Sequence, residues 1–136
     1  MMKSRDTLTR LKRFHVEERR RRVMQIESMI AEFARMATDL DREIALEEQR
    51  AGISDLSHFA YPTYARAARA RRDNLLASSA ELRGQLDDAK TNLDEALAEL
   101  SKVQHVEGRE RSIEHGPDVQ DSRRGLDNFR LRTLQA

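Results

Sequence analysis

Apolar residues recur alternately three and four positions apart along two long stretches of this chain. The first runs Ile26, Ile30, Phe33, Ala37, Leu40, Ile44. The second runs Leu75, Ser79, Leu82, Leu86, Ala89, Leu93, Ala96, Leu100, Val103, and extends backward in phase through Arg72, Ala68, Ala65 and Tyr61. A mean spacing of 3.5 residues draws a narrow seam that precesses slowly around an α-helix. Two such seams cover each other by supercoiling left-handedly with knobs-into-holes packing. The pattern predicts an all-α fold: a long antiparallel two-helix coiled-coil hairpin with a disordered C-terminal tail.

The residue inventory agrees with a thin seam rather than a wide core. Of 136 residues, 36% are charged, Tyr and Phe together number six, and Trp is absent. A compact globule needs broader apolar faces than this; a pair of long helices does not. Only two prolines and five glycines interrupt the chain. The lack of cysteine removes disulfides, thiolate metal sites and a cysteine nucleophile, and fits a reducing compartment. The charged start Met1-Met2-Lys3-Ser4-Arg5 lacks the apolar stretch of a secretory signal, and no segment is apolar enough to span a bilayer. A cytoplasmic protein is expected.

The first helix is expected over residues 5–50, with Ser4 or Asp6 as N-cap. Leu8, Leu11 and His15 make a short stripe at helical spacing, one position out of phase with Val16, Arg19 and Val23 of the later seam. A local slip of the pairing is therefore expected beside Arg19–Arg22. Gly52 suits the position after a helix C-terminus, where positive φ is common. Residues 51–61 form the connection, in which Ser54 or Ser57 is placed to cap a short turn. The second helix is expected over 62–107, opening at Pro62 and ending before Gly108. Gly84 falls on its outer face. Residues 109–136 carry no heptad and read as a flexible tail, in which Leu126, Phe129 and Leu134 suit one amphipathic turn. The domain expectation is thus a hairpin over 1–108 and a tail over 109–136.

Charge selects the topology. Residues 1–22 hold nine Lys/Arg against three Asp/Glu, while 81–107 hold three against seven. Residues 23–50 hold three against seven, and 51–80 hold four, Arg66, Arg69, Arg71 and Arg72, against two. Antiparallel folding sets opposite blocks side by side, whereas a parallel dimer sets each block against itself. A monomer is expected in isolation.

Catalytic and cofactor chemistry finds little footing. The histidines, His15, His58, His105 and His115, show no metal-binding spacing, and no glycine-rich phosphate loop occurs, so no metal, cofactor or nucleotide is expected. Carboxylate pairs such as Glu17-Glu18 and Asp87-Asp88 lie on solvated faces that cannot separate their pKa values. The strongest local signal is the run Arg19-Arg20-Arg21-Arg22. It reads either as a solvated face partly neutralised by the second helix or as a docking surface for an acidic protein. Nucleic acid is disfavoured, because no aromatic residues interleave the run and the chain's net charge is +1. Phe59, Tyr61 and Tyr64 crowd the connection, either clamping it locally or presenting a protein-binding tip. Arg72, at a seam position, reads as a register device or a snorkelling side chain.

Two segments carry a family resemblance. Met2-Lys3-Ser4-Arg5-Asp6-Thr7-Leu8 and Leu11-Lys12-Arg13-Phe14, leading into Val16-Glu17-Glu18 and the arginine run to Val23, resemble the start of the flagellar export protein FliJ family. Ser57-His58-Phe59-Ala60-Tyr61-Pro62-Thr63-Tyr64 with Arg71-Arg72-Asp73-Asn74-Leu75 is similar to one branch of it. The resemblance covers roughly residues 2–107. It implies a non-enzymatic stalk or adaptor of the flagellar type III export apparatus, an antiparallel coiled coil resembling the central stalk of rotary ATPases. The partners it implies are the export ATPase, the export gate and export chaperones, with peripheral association at the inner face of the membrane through that apparatus. By region, ATPase contact falls to Leu8, Leu11, Arg13, Arg19, Arg20, Arg21 and Arg22, with Leu100 and Val103. Export-gate contact falls to Leu46, Phe59, Tyr61 and Tyr64. The rival expectation is a generic cytoplasmic coiled-coil scaffold or dimerisation protein.

Overall fold

The computed structural model of the chain describes residues 2–114. Two long helices, α1 (Met2–Ala51) and α2 (Thr63–Glu114), pack against each other as an all-α hairpin, and no strand occurs among the described residues. The chain divides into two compact units, one of Glu17–Glu95 and one of Met1–Val16 with Ala96–Ala136.

The unit of Glu17–Glu95 contains the bend and follows the expected seam. Val23, Ile26, Ala37, Leu40 and Ile44 of α1 are buried, with Ile30 and Phe33 half-buried between them. Tyr61 of the connection and Ala65, Ala68, Ser79 and Ala89 of α2 are buried, while Arg72, Leu75, Leu82, Leu86 and Leu93 are half-buried. One cluster joins Val23, Ile26 and Ala89, with Ile30, Leu82, Leu86 and Leu93 packed on it. A second joins Leu40, Ile44 and Ala68, flanked by Leu75. Alanine opposite larger aliphatic residues lets the two backbones approach while the seam stays filled. Ser79 is the exception, a buried hydroxyl with no hydrogen-bond partner.

The unit of Met1–Val16 with Ala96–Ala136 corrects the expected phase slip. The buried line on α1 passes through Val16, half-buried Lys12, buried Thr9 and half-buried Arg5, at spacings of four, three and four. Leu8 and Leu11 lie beside this line and are 42% and 47% exposed. Polar contacts hold the line instead: Arg5 pairs with Glu110, Thr9 Oγ1 donates to Glu107 Oε2 at 3.1 Å, and Lys12 Nζ lies 3.7 Å from Glu99 Oε2.

Helix ends differ from expectation in instructive ways. α1 begins at Met2, so Ser4 and Asp6 lie within the helix rather than capping it. Its C-terminus closes at Gly52, whose φ of 68° permits two reversed bonds: Gly52 N–H to Gln49 O and Ile53 N–H to Glu48 O, both 3.3 Å. α2 opens when Arg66 N–H bonds Pro62 O at 3.1 Å. It then passes through Gly108 to Glu114, seven residues beyond the expected end. An isolated glycine costs a helix only about 1 kcal/mol, and Arg109-Glu110-Arg111 beyond it favour continuation. The part of the expected tail from 109 to 114 is therefore helical; residues 115–136, with Leu126, Phe129 and Leu134, lie outside the described residues.

Ile26 is the most deeply buried large side chain, 1% exposed. Ile26→Ala is expected to cost about 2–3 kcal/mol in denaturant unfolding, the lower end of the range for core truncations because a two-helix seam can partly collapse. Ser79→Ala, which removes an unpaired buried hydroxyl, is expected to be neutral or to add up to about 1 kcal/mol.

Candidate docking surfaces

Three surfaces hold the residues singled out by sequence. The first is the bend. Asp55 Oδ1 accepts from Ser57 N–H at 3.0 Å and from its hydroxyl at 2.7 Å, so the aspartate, not a serine, organises the turn. These two bonds, side chain first, hold the Asp55 carboxyl below its ordinary pKa. His58 N–H donates to Asp55 O and Tyr61 N–H to His58 O, each at 3.1 Å. Ala60 N–H donates to His58 Nδ1 at 3.0 Å, and Arg66 Nη2 reaches Leu56 O at 3.1 Å. Side chains of the connection and Arg66 of α2 thus bond several of its backbone groups.

Of the two roles open to the aromatics of the connection, Tyr61 takes the clamp and not the exposed tip. It is 4% exposed, and its hydroxyl donates to Glu48 Oε1 at 2.7 Å. Arg69 Nε donates to the same hydroxyl at 2.8 Å, and Arg69 Nη2 to Glu48 Oε1 at 2.7 Å. The Arg66 and Arg69 guanidiniums lie 5.3 and 5.9 Å from the centre of the ring, within cation–π range. Tyr61 is therefore a clamp between α2 and α1, and is unavailable as a contact for a partner. Tyr64 is half-open at 55%, its hydroxyl donating to Glu43 Oε2 at 2.8 Å, a bond that raises its pKa. Phe59 is 95% exposed, stacked at 4.8 Å on His58. Leu46 is exposed on α1. Leu56, which sequence reading did not assign, is also exposed beside Phe59 in the chain.

The second surface is the arginine run. Arg19, Arg20, Arg21 and Arg22 are all exposed. Arg20 lies 3.8 Å from Glu17 of its own helix, and no ion pair joins Arg19, Arg21 or Arg22 to an acid among the described residues. The expected partial neutralisation by α2 is absent here, although it is present at Arg5 and Lys12. Beyond the run, Met24 and Met29 are exposed. With Arg21, Arg22, Gln25 and Ser28 they line a shallow depression of about 590 Å³ on α1. Sequence reading missed both methionines; the available signal was two large apolar residues off the seam.

The third surface belongs to the unit of Met1–Val16 with Ala96–Ala136, which carries two grooves. Leu8 lines one of about 210 Å³ with Arg5, Lys102, Val103, Val106 and Glu107. Arg13 lines another of about 470 Å³ with Asp6, Thr9, Arg10, Gln104, Glu107 and Gly108. Leu8 and Arg13, grouped by region in the sequence, thus serve different grooves. Leu100 and Val103 are half-buried in the seam, and Val103 also lines the smaller groove.

Among the described residues no group of His, Asp or Glu is placed to hold a metal ion, and no helix is long and apolar enough to cross a membrane.

The Glu48–Arg69–Tyr61 cluster sets a pH dependence. The Glu48 carboxyl is held below its ordinary pKa, first by the Arg69 hydrogen bond and then by that of Tyr61. A carboxylate with a lowered folded pKa contributes stability above its unfolded pKa and loses it as pH falls through the folded value. Stability of the wild-type chain is expected to fall on acidification through and below the ordinary carboxylate range, and Glu48→Gln to flatten that slope in thermal melts. Comparison with protein families, with curated proteins and with solved structures finds no match to this chain.

Proposed function

We propose that this chain is a non-enzymatic stalk or adaptor of the flagellar type III export apparatus, with Arg19–Arg22 engaging an acidic surface of the export ATPase. The observation that carries the reading is the unneutralised arginine run on a helical hairpin. Four consecutive guanidiniums are exposed, and only Arg20 has an acidic neighbour in ion-pair range, on its own helix. Unpaired like charges on one helical turn repel each other, and an acidic partner relieves that repulsion while steering association. The two FliJ-like segments supply the identity of the apparatus. The export gate and export chaperones are the further proposed partners, with Leu46, Phe59 and Tyr64 as the exposed contacts near the bend. Tyr61 supports them from within.

The reading is tested by ATP turnover of a purified flagellar export ATPase with and without the chain. The wild-type chain is expected to stimulate turnover, and a variant with Arg19–Arg22 changed to Gln to lose most of that stimulation. Glutamine keeps helix propensity close to that of arginine, so circular dichroism should be unchanged. Equal stimulation by the variant overturns the assignment of the run, and no stimulation by either chain overturns the export reading in favour of a generic scaffold.

A further inference from the structure

The smaller groove in the unit of Met1–Val16 with Ala96–Ala136 is lined by apolar side chains and by charges that are already engaged. Leu8 and Val106 are 42% and 52% exposed, and half-buried Val103 lies with them. Around them, Arg5 pairs with Glu110, Glu107 accepts from Thr9, and Lys102 Nζ lies 3.8 Å from Glu99 Oε1. The groove therefore selects an occupant by apolar content and not by charge. At about 210 Å³ it is smaller than the roughly 300–1,000 Å³ of small-molecule sites, and it suits side chains of a polypeptide.

We propose that this groove receives residues 126–134 of the same chain, whose Leu126, Phe129, Leu131 and Leu134 supply the apolar side chains. Tethering singles out this occupant. A contact made by Leu8, Val103 and Val106 alone has about millimolar affinity, which leaves a free partner at micromolar concentration almost entirely unbound. A segment joined to the same unit by a short link experiences an effective concentration of about the same size, so it populates the groove. The path is short. α2 ends at Glu114, whose backbone lies about 12 Å along the helix from Val106. Gly116-Pro117 follows, a pair that favours a change of direction over continued helix. Residues 115–125 span up to about 40 Å when extended, which covers the return. This contact does not depend on the ATPase reading. While seated, the segment covers Leu8 and Val106, so any other protein that uses the groove must first displace it.

Because the chain has no cysteine, one can be introduced at a chosen position. The test places a nitroxide on Asn128→Cys of the full chain and reads the NMR signals that it broadens. The methyl groups of Leu8, Val103 and Val106 are expected to lose more intensity than the side-chain amide of Gln104, which lines the other groove of the unit. From about half occupancy, a contact weakened about tenfold leaves the groove about one-tenth filled, so Phe129→Ser with Leu131→Ser should cut the broadening about fivefold. Those two changes leave every residue of the hairpin intact. Val106→Thr, which keeps the side chain's shape, should reduce the broadening at Leu8 from the other side of the contact. Equal broadening at Leu8 and Gln104, or broadening that survives the tail substitutions, overturns the proposal. So does the absence of broadening. A mixture of nitroxide-bearing chain with isotope-labelled chain lacking the nitroxide should show none at Leu8; broadening there would assign the groove to a second copy and overturn the intramolecular contact.

Discussion

Two helices bury a single line of side chains between them, and every other residue faces water on at least one side. That geometric limit governs this chain. The buried line must recur at three and four positions, because any other spacing carries it around the helix and away from its neighbour. It must also be filled economically. In the unit of Glu17–Glu95, alanines at positions 37, 65, 68 and 89 alternate with larger aliphatic residues. With so little apolar area to enforce register, polar clamps take that role. Arg69, Tyr61 and Glu48 close on one another near the bend, and Arg72 Nη1 reaches Asp41 Oδ1 at 2.9 Å further along.

The same limit leaves the faces beside the seam free to vary. The unneutralised arginines, the exposed methionines and the outward Phe59 occupy positions at which the hairpin itself requires nothing. A large apolar side chain there contributes almost no folding free energy, since it stays in water. Phe59 is held in this state by a turn in which Asp55, His58 and Arg66 bond local backbone groups, so little of its ordering is left to lose.

How much of this was legible from residues alone varied along the chain. The seam from Val23 to Val103 was readable because apolar type and helical period coincide there. Burial of Tyr61 followed from the same period, which placed it in phase with Ala65 and Ala68 and so favoured the clamp over the exposed tip. The line through Arg5, Thr9 and Lys12 was hidden, because it is polar. Leu8 and Leu11 offered a more apolar stripe one position away, and tertiary pairing with Glu107 and Glu110 overrode it. The end of α2 was misplaced because a glycine weakens a helix without stopping it. Met24 and Met29 lacked a periodic signature, since five residues on an α-helix set them well apart around its axis, and they flank the depression rather than share one line.

The polar line of Arg5, Thr9 and Lys12 gives its unit a distinct sensitivity. Ion pairs such as Lys12 with Glu99 lose strength as electrolyte shortens the range of their attraction, whereas aliphatic contacts such as Ile26 with Ala89 do not. The two units therefore answer to different properties of the surrounding solution: one to the concentration of dissolved ions, the other to the cohesion of water itself.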